Sequence, residues 1–259
     1  MTRLSIITIN KNNAEGLRRT IESVASQTVP PFEFIIIDGA STDSSIEIIK
    51  KYQQHITFWS SENDLGIYDA MNKGILLSHG EYLLFLNSGD TLYGKNIIDF
   101  FYSISPSEDI VYGNTEVFKG NKHSVYGKKP YFLKFRMFDS MFAIHQSMFF
   151  KHDTFDKYGI YSLKNKIVSD YEHILKILFN KGKIHYLDVI ISAYTMDGIS
   201  STKKELRHSE IKQVRKKYYS PFQHFLLTLF FEIPRNISVL KKDVFLFLFG
   251  KDCIRKRTR

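Results

Sequence analysis

Cysteine is almost missing from this chain. Cys253 is the only one among 259 residues, so no internal disulfide framework and no cysteine-paired zinc site is available. Proline (6) and glycine (14) are also sparse, and they gather into no linker or low-complexity stretch. Apolar runs stay below the ~18 residues of a membrane-spanning helix. The N-terminal run, Leu4 to Ile9, is too short for a signal peptide, and no small-residue cleavage site follows it. A first buried strand and a cytoplasmic, reducing setting are the expectation. Several catalytic signatures are absent as well. There is no G-x-G-x-x-G, no G-x-x-x-x-G-K-[ST] and no G-x-S-x-G. These absences weaken, in turn, a nucleotide-dependent dehydrogenase, a P-loop NTPase and an α/β-hydrolase.

What is present is apolar and aromatic. Hydrophobic residues make up 43%, with 22 Phe and 15 Tyr, enough for a substantial core. The formal charge of +9 is unevenly placed. Residues 202–259 hold 15 basic and 5 acidic side chains, against 21 and 22 in residues 1–201. The first part is nearly neutral and the excess lies in the tail, which points to an anionic surface as partner.

The first hundred residues alternate strand and helix patterns. Strands are expected at Leu4–Ile9, Phe34–Asp38, Thr57–Ser60 and Tyr82–Leu86. Helices are expected at Ala14–Ser26, Ser41–Tyr52 and Ile67–Ser78. That alternation predicts βαβ units and a mostly parallel sheet with helices on both faces, an α/β fold. Beyond Pro106 the rhythm changes. Ile110–Tyr112 and Glu116–Phe118 read as short strands around Gly113-Asn114. Phe132–Phe142 shows no clear period, Asp170–Phe179 reads as a helix, and Lys183–Tyr186 and Val189–Tyr194 return to strand patterns. From Lys203 the chain is helical and basic. Phe222, Phe225, Leu226, Leu229, Phe230 and Ile233 fall on one helical face, followed by a second apolar patch at Val244–Phe249. Apolar faces beside Lys/Arg clusters are what an interfacial helix requires; a helix docked on the core with its basic face solvated is the alternative.

Four positions carry candidate chemistry. Asp38 ends a buried strand, where a carboxylate can accept from a base N–H or a ribose hydroxyl, or can serve as a helix cap. Asp90 closes the turn Asn87-Ser88-Gly89-Asp90 after an apolar strand, where ligands sit in open α/β sheets. It is a candidate ligand for Mg²⁺ or Mn²⁺, and equally a turn former. Asp170 opens a helix as general base or as cap, with Glu172 as its rival. His145-Gln146 precedes a strand-like run as a phosphate or acceptor contact, or as a structural pair.

Taken together, Leu4–Asn10, Ile36–Asp43, Gly66–Gly74, Phe85–Asp90, His145-Gln146, Ser169-Asp170-Tyr171 and Met196–Ser200 resemble the family 2 inverting glycosyltransferases of GT-A fold. The nearest in character are the bacterial O-antigen and colanic acid type, which share the strings G-I-Y-D-A-M-N-K-G-I and F-L-N-S-G-D. The resemblance covers residues 1–201, divided into a nucleotide-sugar half (1–105) and an acceptor half (106–201), with 202–259 as a basic amphipathic extension. It implies a UDP-sugar donor near Thr8, Asn10, Asp38, Asn72 and Lys73, and Mn²⁺ or Mg²⁺ at Asp90. It also implies Asp170 as catalytic base and an acceptor near Asp69, His145 and Gln146. Gly89 and Asn87 stand where relatives often carry acids, and Met71 where they often carry an arginine, with Lys73 two positions on to supply the charge. The expected reaction moves a hexose, galactose or glucose, onto a polyprenyl-diphosphate-linked N-acetylhexosamine with inversion. The enzyme would lie peripherally on the cytoplasmic membrane face, with no nucleic acid partner. A sugar nucleotidyltransferase is the competing enzyme class, but Asn10–Gly16 is a poor match to its glycine-rich basic loop. A basic nucleic-acid binder is the competing non-enzyme.

Overall fold

A computed structural model describes residues 2–120, 122–127, 129–195 and 203–232. Three N-terminal strands, β1 (Leu4–Asn10), β2 (Glu33–Asp38) and β4 (Tyr82–Phe85), are buried along their whole length. Strands covered on both faces read as apolar runs, and these do. Alternation sends Ile7, Ile9, Ile35, Ile37, Leu83 and Phe85 to one face. Leu4, Ile6, Phe34, Ile36, Tyr82 and Leu84 go to the other. On the second face pack α1 (Ala14–Ala25), α2 (Ser45–Lys51) and α4 (Ile97–Ile104). The first face takes α3 (Ile67–Leu77), α5 (Leu133–Asp139), α6 (Asp153–Tyr158) and α7 (Ser169–Phe179). Helix α3 lies so close to β1 that a Cβ on Gly74 would sit 2.4 Å from Ile7 Cγ2, which requires glycine there.

The sheet has nine strands among the described residues. β3 (Phe58–Ser61), β2, β1 and β4 run parallel, in that order across the sheet. β8 (Met148–Lys151) then joins β4 antiparallel and carries β6 (Ile110–Lys119) on its other side. β9 (Ile184–Thr195) lies parallel to β6, and the two-residue β5 (Thr91–Leu92) closes that edge. β7 (Lys122–Tyr126) pairs with the far half of β6.

The paired short strands expected around Gly113-Asn114 are one strand, and so are the two expected between Lys183 and Tyr194. Gly113 is no turn: its missing side chain lets β9 approach, since a Cβ would lie 2.5 Å from Ile191 Cγ1. The register shifts between Tyr112 and Thr115 take up the irregularity. The aperiodic Phe132–Phe142 contains helix α5, entered through Phe132 at φ 56°.

Two helices follow, α8 (Lys204–Tyr218) and α9 (Pro221–Glu232). They pack on α5 and α7 rather than standing apart. Arg215 lies over the Phe138 ring at 4.5 Å, and Phe138 meets Tyr219 edge-on at 5.2 Å. Leu227 is the buried contact of α9, with Phe231 against Phe135. Much of the apolar stripe expected on α9 faces outward: Phe222, Phe225 and Leu229 are 60%, 64% and 42% exposed. Met196–Ser200, Ile233, Val244–Phe249 and Cys253 lie outside the described residues.

Candidate active site

The carboxyl ends of β1, β2 and β3 place Asn10, Asp38 and Ser61 side by side. Asp38 is completely buried. Its carboxylate accepts from Asn10 Nδ2 (2.8 Å), Ser41 N (2.8 Å), Ser41 Oγ (2.6 Å) and Ser61 Oγ (2.6 Å). Burial pushes this acid up, but the hydrogen bonds outweigh it and hold it below the usual carboxylate range. Asp38 is therefore a fully occupied hub that shapes the strand ends. Asn10 also donates to Ser45 Oγ at 2.9 Å, and its own Oδ1 is buried without a hydrogen-bond partner. Thr8 is buried and donates to Leu86 O at 2.6 Å, tying β1 to the end of β4. A neighbouring acid faces the same end of the sheet differently. The Asp64 Oδ2 oxygen lies 2.2 Å from where a Cβ on Gly39 would be, so this half-buried carboxylate fills the space a side chain at position 39 would take.

The turn after β4 is built around Thr20, a polar residue on the buried face of α1. Its hydroxyl donates to Asp90 O at 2.7 Å and accepts from Gly89 N at 3.0 Å. Gly89 sits at φ 104°, where only glycine is at ease, which explains why no acid stands there. Asp90 is buried and its Oδ2 accepts from Gln146 Nε2 at 2.8 Å. Asp90 and Gln146, expected in separate roles, are thus brought together. Among the described residues no group of three or more His, Cys, Asp or Glu is gathered for a metal. Asn87 Oδ1, in the same turn, is a buried oxygen without a hydrogen-bond partner. One carboxylate and one neutral oxygen suit a hard cation that takes its remaining ligands from phosphates and water.

A third cluster lies beside the 3₁₀ turn His145–Ser147. His145 stacks on Phe85 at 4.9 Å and shares a 2.7 Å hydrogen bond with Tyr161 OH. Burial pushes the imidazole down despite the charge of Asp170 nearby, so it is neutral at pH 7. The ring is buried between Phe85 and Tyr161. Asn72 is similarly committed: it donates to Tyr161 O (2.8 Å) and accepts from Tyr161 N (2.9 Å), clamping the segment before α7. Lys73 Nζ pairs with Glu62 at 2.8 Å and lies 3.7 Å from Asp69. The Glu62 hydrogen bond pushes the ammonium up. Asp69 accepts from Leu65 N at 3.0 Å, fixing the loop into α3.

Asp170 stands in the first turn of α7, half-buried. Tyr68 OH lies 2.6 Å from its Oδ1 and 2.7 Å from Ile167 O. Burial, with the Asp170 charge beside it, pushes the Tyr68 phenol far up, so it remains a donor. The rival Glu172 is almost wholly buried; it accepts from Asn165 Nδ2 at 2.6 Å and is paired with Lys217. Both its oxygens are occupied, and it faces α8. Tyr68, Tyr161, Thr20 and Asp64 were missed as site residues. The signal for Thr20 was a polar side chain between Leu17, Ile21 and Val24, and Tyr68 lies inside the quoted string Gly66–Gly74.

Residues 5–163 match the family described as Glycosyl transferase family 2, and the chain belongs to that family, as a glycosyltransferase of GT-A fold. A PGL/p-HBAD biosynthesis glycosyltransferase of Mycobacterium bovis BCG is 30% identical over 207 residues, 76% of this chain and 79% of that protein. Staphylococcus aureus TarS 1–349 with UDP-GlcNAc superposes with TM-score 0.66 at 16% identity, over 94% of this chain and 79% of that one. This chain spans only 44% of the longer TarS chain. The Pyrobaculum calidifontis mannosyltransferase PcManGT, with GDP-Man and Mn²⁺, gives TM-score 0.62 at 14% identity, over 85% and 67%. At these identities the two structures speak for the fold. Family membership decides for a transferase over a sugar nucleotidyltransferase or a nucleic-acid binder.

Proposed function

We propose that the protein transfers a hexose, galactose or glucose, from a UDP-sugar to a polyprenyl-diphosphate-linked N-acetylhexosamine with inversion, in assembly of an O-antigen or capsule-type polysaccharide. The observation that carries this reading is the pairing of Asp170 with Tyr68 beside the 145–147 turn, whose Gln146 also fixes Asp90. In this reading Asp170 is the base and Asp90 the diphosphate anchor, the latter at the carboxyl end of a strand. Asp170 takes the proton of the acceptor hydroxyl, and the oxygen displaces UDP from the anomeric carbon in one step. An α-linked donor therefore gives a β-linked product. Asp90 and Asn87 are the residues to hold Mn²⁺ or Mg²⁺, which would supply charge neutralisation for the departing diphosphate. In support, TarS has been solved with UDP-GlcNAc and PcManGT with Mn²⁺. The carboxylate that meets the nucleotide is Asp64, because Asp38 is fully occupied.

The lipid-linked acceptor places the enzyme at an anionic membrane surface on the cytoplasmic side. The exposed Phe225 and Leu229 on α9 and the basic residues of 202–259 suit that contact. Among the described residues no helix is long and apolar enough to cross a membrane. The test is a donor screen by UDP release, with and without Mn²⁺, on a short lipid-diphosphate N-acetylhexosamine acceptor. UDP-galactose or UDP-glucose should turn over, and Asp170→Asn should remove all but a small residual turnover while keeping UDP affinity. Activity only with GDP- or dTDP-sugars, or a fully active Asp170→Asn, refutes the reading.

A further inference from the structure

Helix α8 lies wholly beyond the family-matched residues 5–163, yet it reaches the segment that carries Asp170. Glu210 is 6% exposed. Its two carboxylate oxygens accept from consecutive backbone amides, Lys166 N at 2.7 Å and Ile167 N at 2.9 Å. Two turns further along the helix, Lys217 pairs with Glu172, which also holds Asn165. The stretch 165–167 is therefore fastened from α8 immediately before α7 begins.

That stretch is also where Tyr68 finds its second partner. A phenol has one proton to donate, and two oxygens compete for it: Asp170 Oδ1 at 2.6 Å and Ile167 O at 2.7 Å. While Asp170 is ionised, the stronger charge-assisted bond wins. When Asp170 holds a proton, it donates to the Tyr68 oxygen, and Tyr68 turns its own proton to Ile167 O. The phenol can serve both states of the base only while Ile167 O stays in reach. Glu210 fixes the peptide groups on either side of Lys166, directly before that carbonyl.

We propose that Glu210 is a positioning residue for proton transfer: through Ile167 and Tyr68 it holds Asp170 in line with the acceptor hydroxyl. This rests on Asp170 being the base. A buried carboxylate carries a desolvation penalty that apolar packing would avoid, and its bidentate grip on adjacent amides fixes direction, which packing does not.

The experiment uses the full chain, UDP release for turnover and calorimetry for UDP affinity, with thermal melts alongside. Glu210→Ala is expected to lower kcat about 10- to 100-fold, the scale of a ~1 Å misplacement, while donor KM and UDP affinity stay within about twofold. Glu210→Gln, of equal volume and with one acceptor oxygen, falls between Ala and wild type. In an Asp170→Asn background, Glu210→Ala leaves the residual rate unchanged, because the base it serves is gone. Wild-type kcat in Glu210→Ala overturns the proposal, and so does an equal loss in both backgrounds. If Glu210→Ala does not fold, Glu210→Gln must show the same pattern at smaller size, and wild-type kcat there overturns the proposal too. Full turnover by Asp170→Asn alone is a different result: it removes the base assignment itself.

Discussion

Replacing Asp38 separates a structural acid from a ligand-facing one. In Asp38→Ala, Asn10 Nδ2, Ser41 N, Ser41 Oγ and Ser61 Oγ lose a common acceptor that is itself fully buried. Hydrogen bonds to a charged group contribute about 1.5–3 kcal/mol each, but they are not additive when they share one partner. Leaving such donors without an acceptor costs about 1–3 kcal/mol each where they are buried, so a loss of about 3–5 kcal/mol is expected. For a chain of this size it lowers Tm by about 6–20 °C. Asp64→Ala removes a half-buried carboxylate whose Oδ1 accepts only the local amide of Gly66 at 2.9 Å among the hydrogen bonds seen. It should melt within a few degrees of wild type, yet bind UDP about tenfold more weakly, the scale of one hydrogen bond to a charged group. Differential scanning calorimetry and UDP titration read the two effects independently. An Asp38→Ala protein that melts like wild type and loses only UDP affinity would refute the reasoning.

Three further outcomes are expected. Asp90→Ala should abolish the Mn²⁺ stimulation of UDP release, since Asp90 supplies the carboxylate of the Asn87–Asp90 turn; stimulation that survives would place the cation elsewhere. Stability should fall on acidification from about pH 6.5 toward pH 3, because burial, aided by Lys176, pushes His173 down to about 3 from 6.5 in the unfolded chain. The unfolded state then binds the extra proton through that window, so stability is complete above it and lost below, by about 5 kcal/mol from His173 alone at the lower end. Asp38 and Glu33, held low by their hydrogen-bond donors against the effect of burial, add to the loss below about pH 4. Urea titrations at pH 7 and pH 4.5 check the slope, and equal midpoints would contradict it. Phe225→Ser with Leu229→Ser should weaken flotation with anionic liposomes at least fivefold, leaving Tm unchanged because both side chains are exposed; unchanged flotation would remove α9 as the contact.

The N-terminal βαβ layout was legible because β1, β2 and β4 are buried on both faces and signal through apolar runs alone. Beyond Pro106 the same signals misled. Gly113 reads as a turn in sequence, yet in the sheet it is the point where β9 presses against β6, and only the partner strand shows that. The stripe on α9 illustrates the reverse limit. Periodicity located an apolar face correctly, but it does not say which way a helix turns that face, and Leu227, off the stripe, makes the buried contact.

The site follows the same division. Sequence marks which residues end strands and open helices, so Asp38, Asp90 and Asp170 could be singled out from position alone. It does not show how many donors each carboxylate already has, and that number separates their roles. Asp38 has four donor contacts and no exposed surface. Glu172 is shared between Asn165 and Lys217 and is similarly sealed. Asp170 has Tyr68 on one oxygen and keeps part of its surface open. A general base needs a free lone pair within reach of solvent or substrate, and of these three acids Asp170 fits the proposed role of base best. Tyr68 and Glu210, which fix it there, lie far from it in sequence and become visible only through the fold.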